Sequence, residues 1–457
     1  MNKTVVINVV GLTEHHIGKH TPFISNWLNE QPSATIKPVL PAVTCSAQYT
    51  YLTGKLPTDH GIVGNGWLFR DQGEIKFWRQ SNKLVQARKI WQELRSLDSS
   101  FTCANMFWWY NMCTDVDYSV TPRPMYPADG RKIPDVYASP GTLRDELQQE
   151  LGQFPLFNFW GPKTSVKASQ WIADASLIVD EQFDPTLSLI YLPHMDYNLQ
   201  RHGTNHPSVH TDLAQIDEIV KDLATHYDAK NARVILLSGY GITDVEQPVH
   251  LNRVFRRKGY ISVREELGRE LLDPCASKAF AVADHQIAHV YVNDNHIKDD
   301  VEAILRDTPG CELVLDKTGK KKYGIDHERA GDFVVMADAT SWFTYYYWLD
   351  DAKAPDFART VDIHRKPGYD PVELFVDPEI VFPMGKAAWI LLKKKLGFRY
   401  LMDLIPLDAG LVKGSHGRLT EDPAFHPVFI TNTPDTLPSD SLEPVEIYDI
   451  IKKTVLE

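Results

Sequence analysis

The sequence predicts an α/β protein built on a doubly wound, mostly parallel sheet, and two kinds of segment support this prediction. Short apolar runs typical of buried parallel strands lie at residues 5–10, 187–192 and 233–237. Amphipathic stretches with helical spacing lie between them, such as residues 171–179 and 213–224. Strand and helix therefore alternate, as they do in parallel sheets whose ligands bind beyond the carboxyl ends of the strands.

Length and charge limit the class of protein. The 457 residues are enough for two or three average domains or for one large sheet. A formal net charge of -12 argues against nucleic acid as a partner, since phosphate backbones are bound by an excess of Lys and Arg. Basic clusters at residues 253–258 and 393–399 are interpreted as solvated helix faces.

The cysteines and the N-terminal segment bear on the compartment. The five cysteines are scattered and form no Cys-x-x-Cys pair, so neither a disulfide framework nor a zinc knuckle is predicted. The strand-like run that begins at Thr4 is too short for a signal peptide or a membrane span. We therefore expect a cytoplasmic protein with reduced thiols and no membrane partner.

Two aromatic and Pro-rich regions, residues 107–162 and 342–372, interrupt the alternation of strand and helix. Long loops at the carboxyl edge of a sheet commonly form lids or binding walls. The predicted division of the chain is a core that begins with residues 1–252, a small α/β cap at 253–338, and a completion of the core at 339–457 that carries the second aromatic region.

Thr44 is the candidate nucleophile. It follows the apolar run 36–43, interpreted as a strand end, and it begins a small-residue stretch interpreted as a helix start. Backbone N–H groups converge at a helix N-terminus, so the Thr44 hydroxyl would lie beside a bound phosphoryl group. The alternative interpretation is that Thr44 is a plain helix N-cap.

Four motifs follow one another along nearly the whole chain. They are Pro41-Ala42-Val43-Thr44 with His60-Gly61-Ile62-Val63-Gly64-Asn65, Tyr191-Leu192-Pro193-His194-Met195-Asp196, Leu236-Leu237-Ser238-Gly239-Tyr240-Gly241-Ile242, and Gly414-Ser415-His416-Gly417. Together they resemble the alkaline phosphatase superfamily, most closely its nucleotide pyrophosphatase/phosphodiesterase and phosphonoacetate hydrolase branch. The resemblance implies an alkaline-phosphatase-like fold, with Thr44 attacking phosphorus and Asn65 holding a phosphoryl oxygen.

The same resemblance implies two zinc ions beside the nucleophile, and the first ligand set is incomplete. Asp196 and His416 are kept, but Gln200 stands where the family has a His. The amide oxygen of Gln is a poorer zinc ligand than imidazole and is acceptable to harder ions such as Mg or Mn. We expect at least one divalent metal, which would be Zn, Mn or Mg.

The second ligand set is lost apart from Thr44. Val10 stands in place of an Asp, and Gly239 with Tyr240 replaces an Asp-His pair. A standard two-zinc site is therefore not expected. Tyr240 is a candidate for substrate binding instead, because its phenol O–H can donate to a phosphoryl oxygen.

Ligands from elsewhere in the chain are candidates to rebuild the metal site. They are Asp362 and His364, with Arg365 and Lys366 beside them to hold phosphate, and, as a second choice, Asp284 and His285. An Asp-x-His sequence on a strand places both side chains on one side, and cations beside it suit an anionic substrate. For both pairs the alternative is a structural hydrogen-bonded pair.

The resemblance and these departures together predict a metal-dependent hydrolase of phosphodiester or pyrophosphate bonds. Its substrate would be a small phosphorylated metabolite or a nucleotide. The alternatives are a phosphomonoesterase or phosphotransferase, and a non-catalytic binding protein on the same fold. Replacement ligands around Thr44 would favour an enzyme, whereas an apolar surround would favour a binding protein.

Overall fold

A nine-stranded, mostly parallel sheet forms the centre of the computed structural model, which describes residues 1–129, 131–434 and 436–457. In chain order the strands are β1 (Thr4–Val9), β2 (Ser33–Ile36), β3 (Gly66–Phe69), β4 (Glu74–Phe77), β5 (Cys103–Met106), β6 (Tyr118–Pro122), β7 (Val136–Ser139), β8 (Leu187–Leu192), β9 (Arg233–Leu237), β10 (Thr243–Asp244), β11 (Gln247–Val249), β12 (Ser262–Glu266), β13 (Arg269–Asp273), β14 (Ala279–Asp284), β15 (Ile287–Val292), β16 (Cys311–Leu315), β17 (Phe333–Ala337), β18 (Ser341–Phe343), β19 (Gly414–Ser415), β20 (Val428–Thr431) and β21 (Ser441–Leu442).

The helices connect these strands. They are α1 (Pro22–Glu30), α2 (Thr44–Thr53), α3 (Pro57–His60), α4 (Ile90–Leu97), α5 (Thr142–Leu151), α6 (Leu156–Phe159), α7 (Lys167–Phe183), α8 (His194–His202), α9 (Pro207–Ala229), α10 (Leu251–Arg257), α11 (Lys298–Asp307), α12 (Lys317–Lys322), α13 (Pro383–Lys395) and α14 (Glu446–Leu456). Short 3-10 helices lie at Glu14–His16, Asn82–Leu84, Asn295–Ile297, Asp351–Lys353, Asp356–Arg359, Pro371–Leu374, Ala409–Leu411 and Pro423–Phe425.

The order of strands in the large sheet is β21-β2-β20-β9-β1-β8-β5-β6-β7. Its middle, from β9 to β6, is parallel throughout, and antiparallel pairing is confined to the flanking strands β20 and β7. All six residues of β1 and of β8 are buried, which explains why these strands are continuous apolar runs. This architecture confirms the predicted α/β class with a mostly parallel sheet.

The segment before Thr44 differs from its predicted form. The apolar run 36–43 was expected to be a strand end, but β2 stops at Ile36 and the chain continues as a loop to Val43. Pro38 and Pro41 lie in this run and have no N–H to donate to a sheet ladder. The loop delivers the chain to the start of α2 at Thr44.

A second, four-stranded antiparallel sheet, in the order β14-β15-β17-β16, lies in the described part of residues 253–338. Its hydrophobic core also takes in residues outside that range, including Phe77, Trp342 and Tyr345. The division of the chain at 252 and 338 stays a prediction. The hairpin β14–β15 turns at His285, whose φ is +62°. Asp284 at the tip of this hairpin contacts Asn65, which in turn contacts the start of α2.

Candidate active site

Thr44, Asp196 and Tyr240 meet beyond the carboxyl ends of the central strands. Thr44 is the first residue of α2, Asp196 lies in the first turn of α8 after β8, and Tyr240 follows β9. The N-cap position of α2 is Val43, so Thr44 is not the cap. Its hydroxyl instead lies 2.9 Å from the phenol oxygen of Tyr240. The parallel sheet therefore gathers residues separated by up to 196 positions.

Asn65 lies directly beside the start of α2. Its Oδ1 accepts a hydrogen bond of 3.0 Å from the backbone N–H of Cys45, the residue after Thr44. Its backbone N–H and its Nδ2 donate to Asp284 at 2.7 and 3.1 Å. Asn65 is 1% exposed and is therefore fixed on both sides. The structure thus places Asn65 next to the candidate nucleophile, although its amide nitrogen is already bonded to Asp284.

The hairpin β14–β15 contributes Asp284 and His285 to the site. Nδ1–H of His285 donates to Oδ1 of Asp284 at 2.8 Å, the same carboxylate that binds Asn65. Burial raises the pKa of Asp284 to about 6, while the hydrogen bonds from Asn65 oppose this rise. Burial also lowers the pKa of His285 well below its usual value, so the ring is neutral. Asp284 and His285, the second choice of replacement metal ligands, are thus connected to the site through Asn65.

His416 faces Asp196, as the motif order predicts. Its Nδ1–H donates to the backbone carbonyl of Ala42 at 2.8 Å, which leaves Nε2 as an unprotonated nitrogen. Nε2 lies 3.9 Å from Oδ1 of Asp196, and neither atom has a hydrogen-bond partner among the described residues. Burial raises the pKa of Asp196 to about 7, and burial followed by the nearby His285 lowers that of His416 well below its usual value.

Four rings stack across the site, in the order Tyr240, His416, His285 and Tyr369. Their centroids are 3.8, 3.7 and 3.6 Å apart in that order. The hydroxyl of Tyr369 also donates to Oε1 of Gln200 at 3.1 Å. Sequence reasoning missed Tyr369; the only signal for it was its place in the second aromatic region. The stack links the turn after β9, the C-terminal motif, the hairpin and the second aromatic region, and Gln200 of α8 joins it by a hydrogen bond.

The remaining candidates, Asp362, His364, Arg365 and Lys366, have other partners. The backbone N–H of Asp362 donates to Glu373, and Arg365 is exposed and pairs with Asp356 at 3.3 Å. His364 is exposed at the surface; partial desolvation, followed by the nearby cations Lys132, Arg79 and Arg123, lowers its pKa. None of the hydrogen bonds or ion pairs of these four described residues reaches Thr44 or Asp196.

Lys366 is buried rather than open to a phosphate. Its ammonium lies 2.7 Å from the carboxylates of both Asp370 and Glu373, and all three side chains are at most 3% exposed. This cluster places one cation between two anions inside the second core. The roles proposed for Lys366 and its neighbours in metal and substrate binding stay predictions, and the contacts of Lys366 are those of a structural ion pair.

The donor atoms do not fit a two-zinc centre. Val10 is buried and apolar, and the Tyr240 ring lies flat on His416 with its hydroxyl bonded to Thr44. In the described ranges no group of three or more His, Cys, Asp or Glu side chains is placed to hold a metal ion. The unpartnered oxygen of Asp196 and nitrogen of His416 are donors that suit a single ion, with Gln200 close to Asp196.

Comparison with known proteins defines the class. The family profile described as type I phosphodiesterase / nucleotide pyrophosphatase matches residues 4–370. The chain belongs to this family. Membership supports an enzyme that hydrolyses phosphodiester or pyrophosphate bonds in general, and it confirms the branch to which the four motifs pointed.

One curated relative is ectonucleotide pyrophosphatase/phosphodiesterase 1 of Saccharomyces cerevisiae, which is 23% identical over 281 residues. The match covers 54% of this chain but spans about a third of the relative, namely 34% of its length.

Solved structures share the fold over the whole chain. The phosphonoacetate hydrolase of Sinorhizobium meliloti 1021 in complex with phosphonoformate has a TM-score of 0.64 at 14% identity, covering 99% of this chain and 96% of that one. An inactive variant of the murine ectonucleotide pyrophosphatase / phosphodiesterase 5 in complex with AMP has a TM-score of 0.61 at 12% identity, covering 100% and 95%. At these identities the likeness establishes the fold, which is the predicted alkaline-phosphatase-like one.

Proposed function

We propose that this protein hydrolyses a phosphodiester or pyrophosphate bond of a small phosphorylated metabolite or nucleotide, with Thr44 as the nucleophile. The observation that carries the proposal is the Thr44 hydroxyl at the first position of α2, beside Asn65 and within hydrogen-bond distance of Tyr240. Helix N-termini favour bound phosphate because backbone N–H groups and the helix dipole point at it. Small phosphorylated ligands also occupy the solved neighbours, AMP among them.

In the first step the Thr44 oxygen forms a bond to phosphorus as the bond to the leaving oxygen breaks. The proton of Thr44 passes to the Tyr240 oxygen as the phenol passes its own proton to the nearby Asp196 carboxylate, which ends the step as the acid. Burial raises the pKa of Tyr240 well above its usual value, so Tyr240 acts as a neutral phenol. Water then attacks phosphorus and the bond between phosphorus and the Thr44 oxygen breaks. This step releases the phosphoryl product, restores the Thr44 hydroxyl and completes hydrolysis.

A divalent ion is part of the proposal, restricted to one position. Asp196 and His416 would hold it, with Gln200 and solvent or substrate oxygens completing its shell. When bound, such an ion would neutralise charge on the phosphoryl oxygens. The donors would be one carboxylate, one imidazole and one amide oxygen. This mixed set suits Zn, Mn or Mg and favours none of the three.

We also propose a cytoplasmic location. The five cysteines form no disulfide in the structure, and Cys113 and Cys275 are exposed as free thiols. Exposed thiols of this kind persist most readily in a reducing compartment.

A non-catalytic binding protein is the second candidate function. It is favoured by Tyr240, which engages the Thr44 hydroxyl, and by the apolar Val10 at a position where the family has a charged ligand. A hydroxyl nucleophile needs a base or a metal beside it, and the group hydrogen-bonded to the Thr44 hydroxyl is the Tyr240 phenol, which is neither. Under this alternative a nucleotide would bind at α2 without turnover.

The test is turnover of bis-p-nitrophenyl phosphate and of a panel of nucleotides by purified protein and by Thr44→Ala. We expect Thr44→Ala to lower the rate by on the order of 10³-fold or more, because the group that forms the covalent bond is removed. Thr44→Ser is the matched control, since it keeps a hydroxyl at the same position, and it should retain part of the activity.

Two results would overturn the assignment in different ways. Equal turnover by Thr44→Ala and the wild type would exclude Thr44 as the nucleophile. No turnover by the wild type, together with saturable AMP binding measured by calorimetry, would identify the binding protein instead.

A further inference from the structure

The helix α13 and its flanks expose an unusual amount of apolar surface. Ile390 is the one buried residue among the 13 of the helix. Val381 is 99% exposed and Trp389 is 56% exposed, although both are large and apolar. Half of the exposed large hydrophobic side chains of the described residues lie in this one segment: Val381, Phe382, Met384, Trp389, Leu391, Leu392, Leu396, Phe398 and Leu401. A concentration of exposed apolar side chains in one segment points to an interaction site.

The same segment is strongly basic. It carries Lys386, Lys393, Lys394, Lys395 and Arg399, and residues 380–402 contain no Asp or Glu. The whole protein has a formal net charge of -12, so this cluster is opposite in sign to the rest of the chain. The sequence alone suggested a solvated helix face for these lysines. The exposed apolar side chains between them do not fit that interpretation.

Lysines and aromatic rings of the segment contact each other. The Lys393 ammonium lies 5.4 Å from the centroid of the Trp389 ring, and that of Lys394 lies 5.0 Å from the Tyr400 ring. Trp and Tyr rings beside Lys and Arg are typical of residues placed at the boundary between lipid and water. The apolar side chains would enter the acyl boundary, while the ammonium groups stay at the level of the headgroups.

We propose that the segment 380–402 docks this protein on the surface of an anionic lipid bilayer. Charge complementarity selects this occupant. Lys386 pairs with Asp403 at 2.9 Å, which leaves Lys393, Lys394, Lys395 and Arg399 as the basic cluster. A second copy of the chain, meeting through the same segment, would bring two such clusters together, whereas anionic headgroups neutralise them. In the described ranges no helix is long and apolar enough to cross a membrane, so the contact is peripheral. The proposal replaces our expectation of no membrane partner.

The chain just before the segment 380–402 contacts α8, a helix of the candidate active site. Arg201 of α8 donates to the carbonyl of Leu374 at 3.0 Å, just before the segment leaves the core, and α8 also carries Asp196. Docking would therefore hold the part of the fold that contains α8 near the lipid surface. The inference is independent of catalysis and stands whether or not Thr44 turns over a substrate.

Cosedimentation of the full chain with vesicles tests the proposal. The wild type should bind vesicles of phosphatidylcholine mixed with phosphatidylserine, bind pure phosphatidylcholine weakly, and be released by salt. Replacing the three lysines together, Lys393→Gln, Lys394→Gln and Lys395→Gln, should weaken partition by on the order of 100-fold. Replacing Trp389→Ser and Leu391→Ser should also weaken it, and to a similar extent in high and low salt.

Matched controls come from other exposed positions. Leu267→Ser removes an apolar side chain that is 86% exposed on the β12–β13 hairpin, and Lys321→Gln with Lys322→Gln removes two cations from α12. Neither change should alter vesicle binding. Wild type that stays in the supernatant with anionic vesicles at low salt would overturn the proposal. A concentration-dependent dimer that is lost in the Trp389→Ser, Leu391→Ser variant, without vesicle binding, would overturn it in favour of self-association.

Discussion

At the scale of single residues, the site is shaped by three substitutions in the second ligand set that the family resemblance implies, in addition to Gln200 in the first set. Val10 and Gly239 remove carboxylates, and Tyr240 puts a phenol where an imidazole is expected. The structure shows what Tyr240 does there: its oxygen binds the Thr44 hydroxyl and its ring covers one face of His416. A second ion would need charged donors at these positions, and Tyr240 offers only a neutral ring and a hydroxyl that is bonded to Thr44.

Restoring those donors should restore a metal site. We expect the combined change Val10→Asp, Gly239→Asp and Tyr240→His to unfold several degrees below the wild type in metal-free buffer, because buried carboxylates without partners are costly. A Cβ added at Gly239 would meet only the Ala47 Cβ, at 3.4 Å, which is an ordinary van der Waals contact. Zinc in large excess over its Kd should then raise the Tm by about 3 °C or more.

Metal analysis beside thermal unfolding makes this measurement. The control is the same variant with Gly239→Asn in place of Gly239→Asp, which matches the volume but lacks the charge. It should take up less zinc per protein molecule. A variant that gains no zinc over the wild type would contradict the idea that these three positions account for the loss of the second ion.

At the scale of elements, the 3-10 helix Pro371–Leu374 and the loop before it form a small buried ion cluster. The Lys366 ammonium is shared by Asp370 and Glu373, and the Trp160 indole N–H donates to Glu373 as well, at 2.5 Å. Burial lowers the pKa of a lysine, but the two carboxylates outweigh it and raise the pKa of Lys366. The cluster holds the loop that places Tyr369 against His285.

Removing the cation should destabilise the fold. Lys366→Met leaves two carboxylates buried without their partner, and we expect a loss of about 3–5 kcal/mol of unfolding free energy. Chemical denaturation measures this loss. Arg365→Met is the neighbouring control, since Arg365 is exposed and its removal should cost at most about 1 kcal/mol. An unchanged midpoint for Lys366→Met, with a raised KM for a phosphorylated substrate, would instead support the substrate-binding role predicted from the sequence.

At the scale of the whole molecule, two hydrophobic cores meet at the candidate site. The large sheet supplies Thr44 and Asp196 at its carboxyl edge, and the second sheet supplies Asp284 and His285 at the tip of one hairpin. Asp284 connects the two cores, because its carboxylate accepts hydrogen bonds from Asn65 and from the ring N–H of His285.

Asp284→Asn should change the free energy of unfolding by an amount that depends on pH. The folded pKa of Asp284 is about 6, above the value of about 3.9 for an unfolded Asp, so the folded state holds this proton more tightly. The stability that the acid contributes is complete below about pH 4 and is lost as the pH rises through about 6. Any advantage of the wild type over Asp284→Asn should therefore be largest near pH 4 and shrink toward pH 7.

Denaturation of both proteins across this pH range provides the measurement. The variant should also lower turnover at every pH, because an amide that faces the N–H groups of Asn65 displaces that loop. An advantage that grows with pH would show that Asp284 is stabilised in its ionised form instead.

Much of the candidate site could be predicted before the fold was known. Thr44, Asn65, Asp196 and His416 stand in motifs of neighbouring residues, and local sequence is enough to recognise such motifs. The class of fold followed from runs such as β1 and β8, whose burial on both faces requires continuous apolar residues. Both inferences need only the order of residues within short segments of the chain.

The tertiary structure alone decided which distant groups meet. The sequence favours Asp362 and His364 over Asp284 and His285, because the cations Arg365 and Lys366 stand beside the former pair. The hairpin β14–β15 brings Asp284 and His285 to Asn65, while the backbone N–H of Asp362 donates to Glu373. For α13 the sequence indicated a solvated helix face and not the exposed apolar side chains, because the same run of residues would be ordinary core if another element covered it. Packing between elements is a property of the whole fold, and no single segment of sequence contains it.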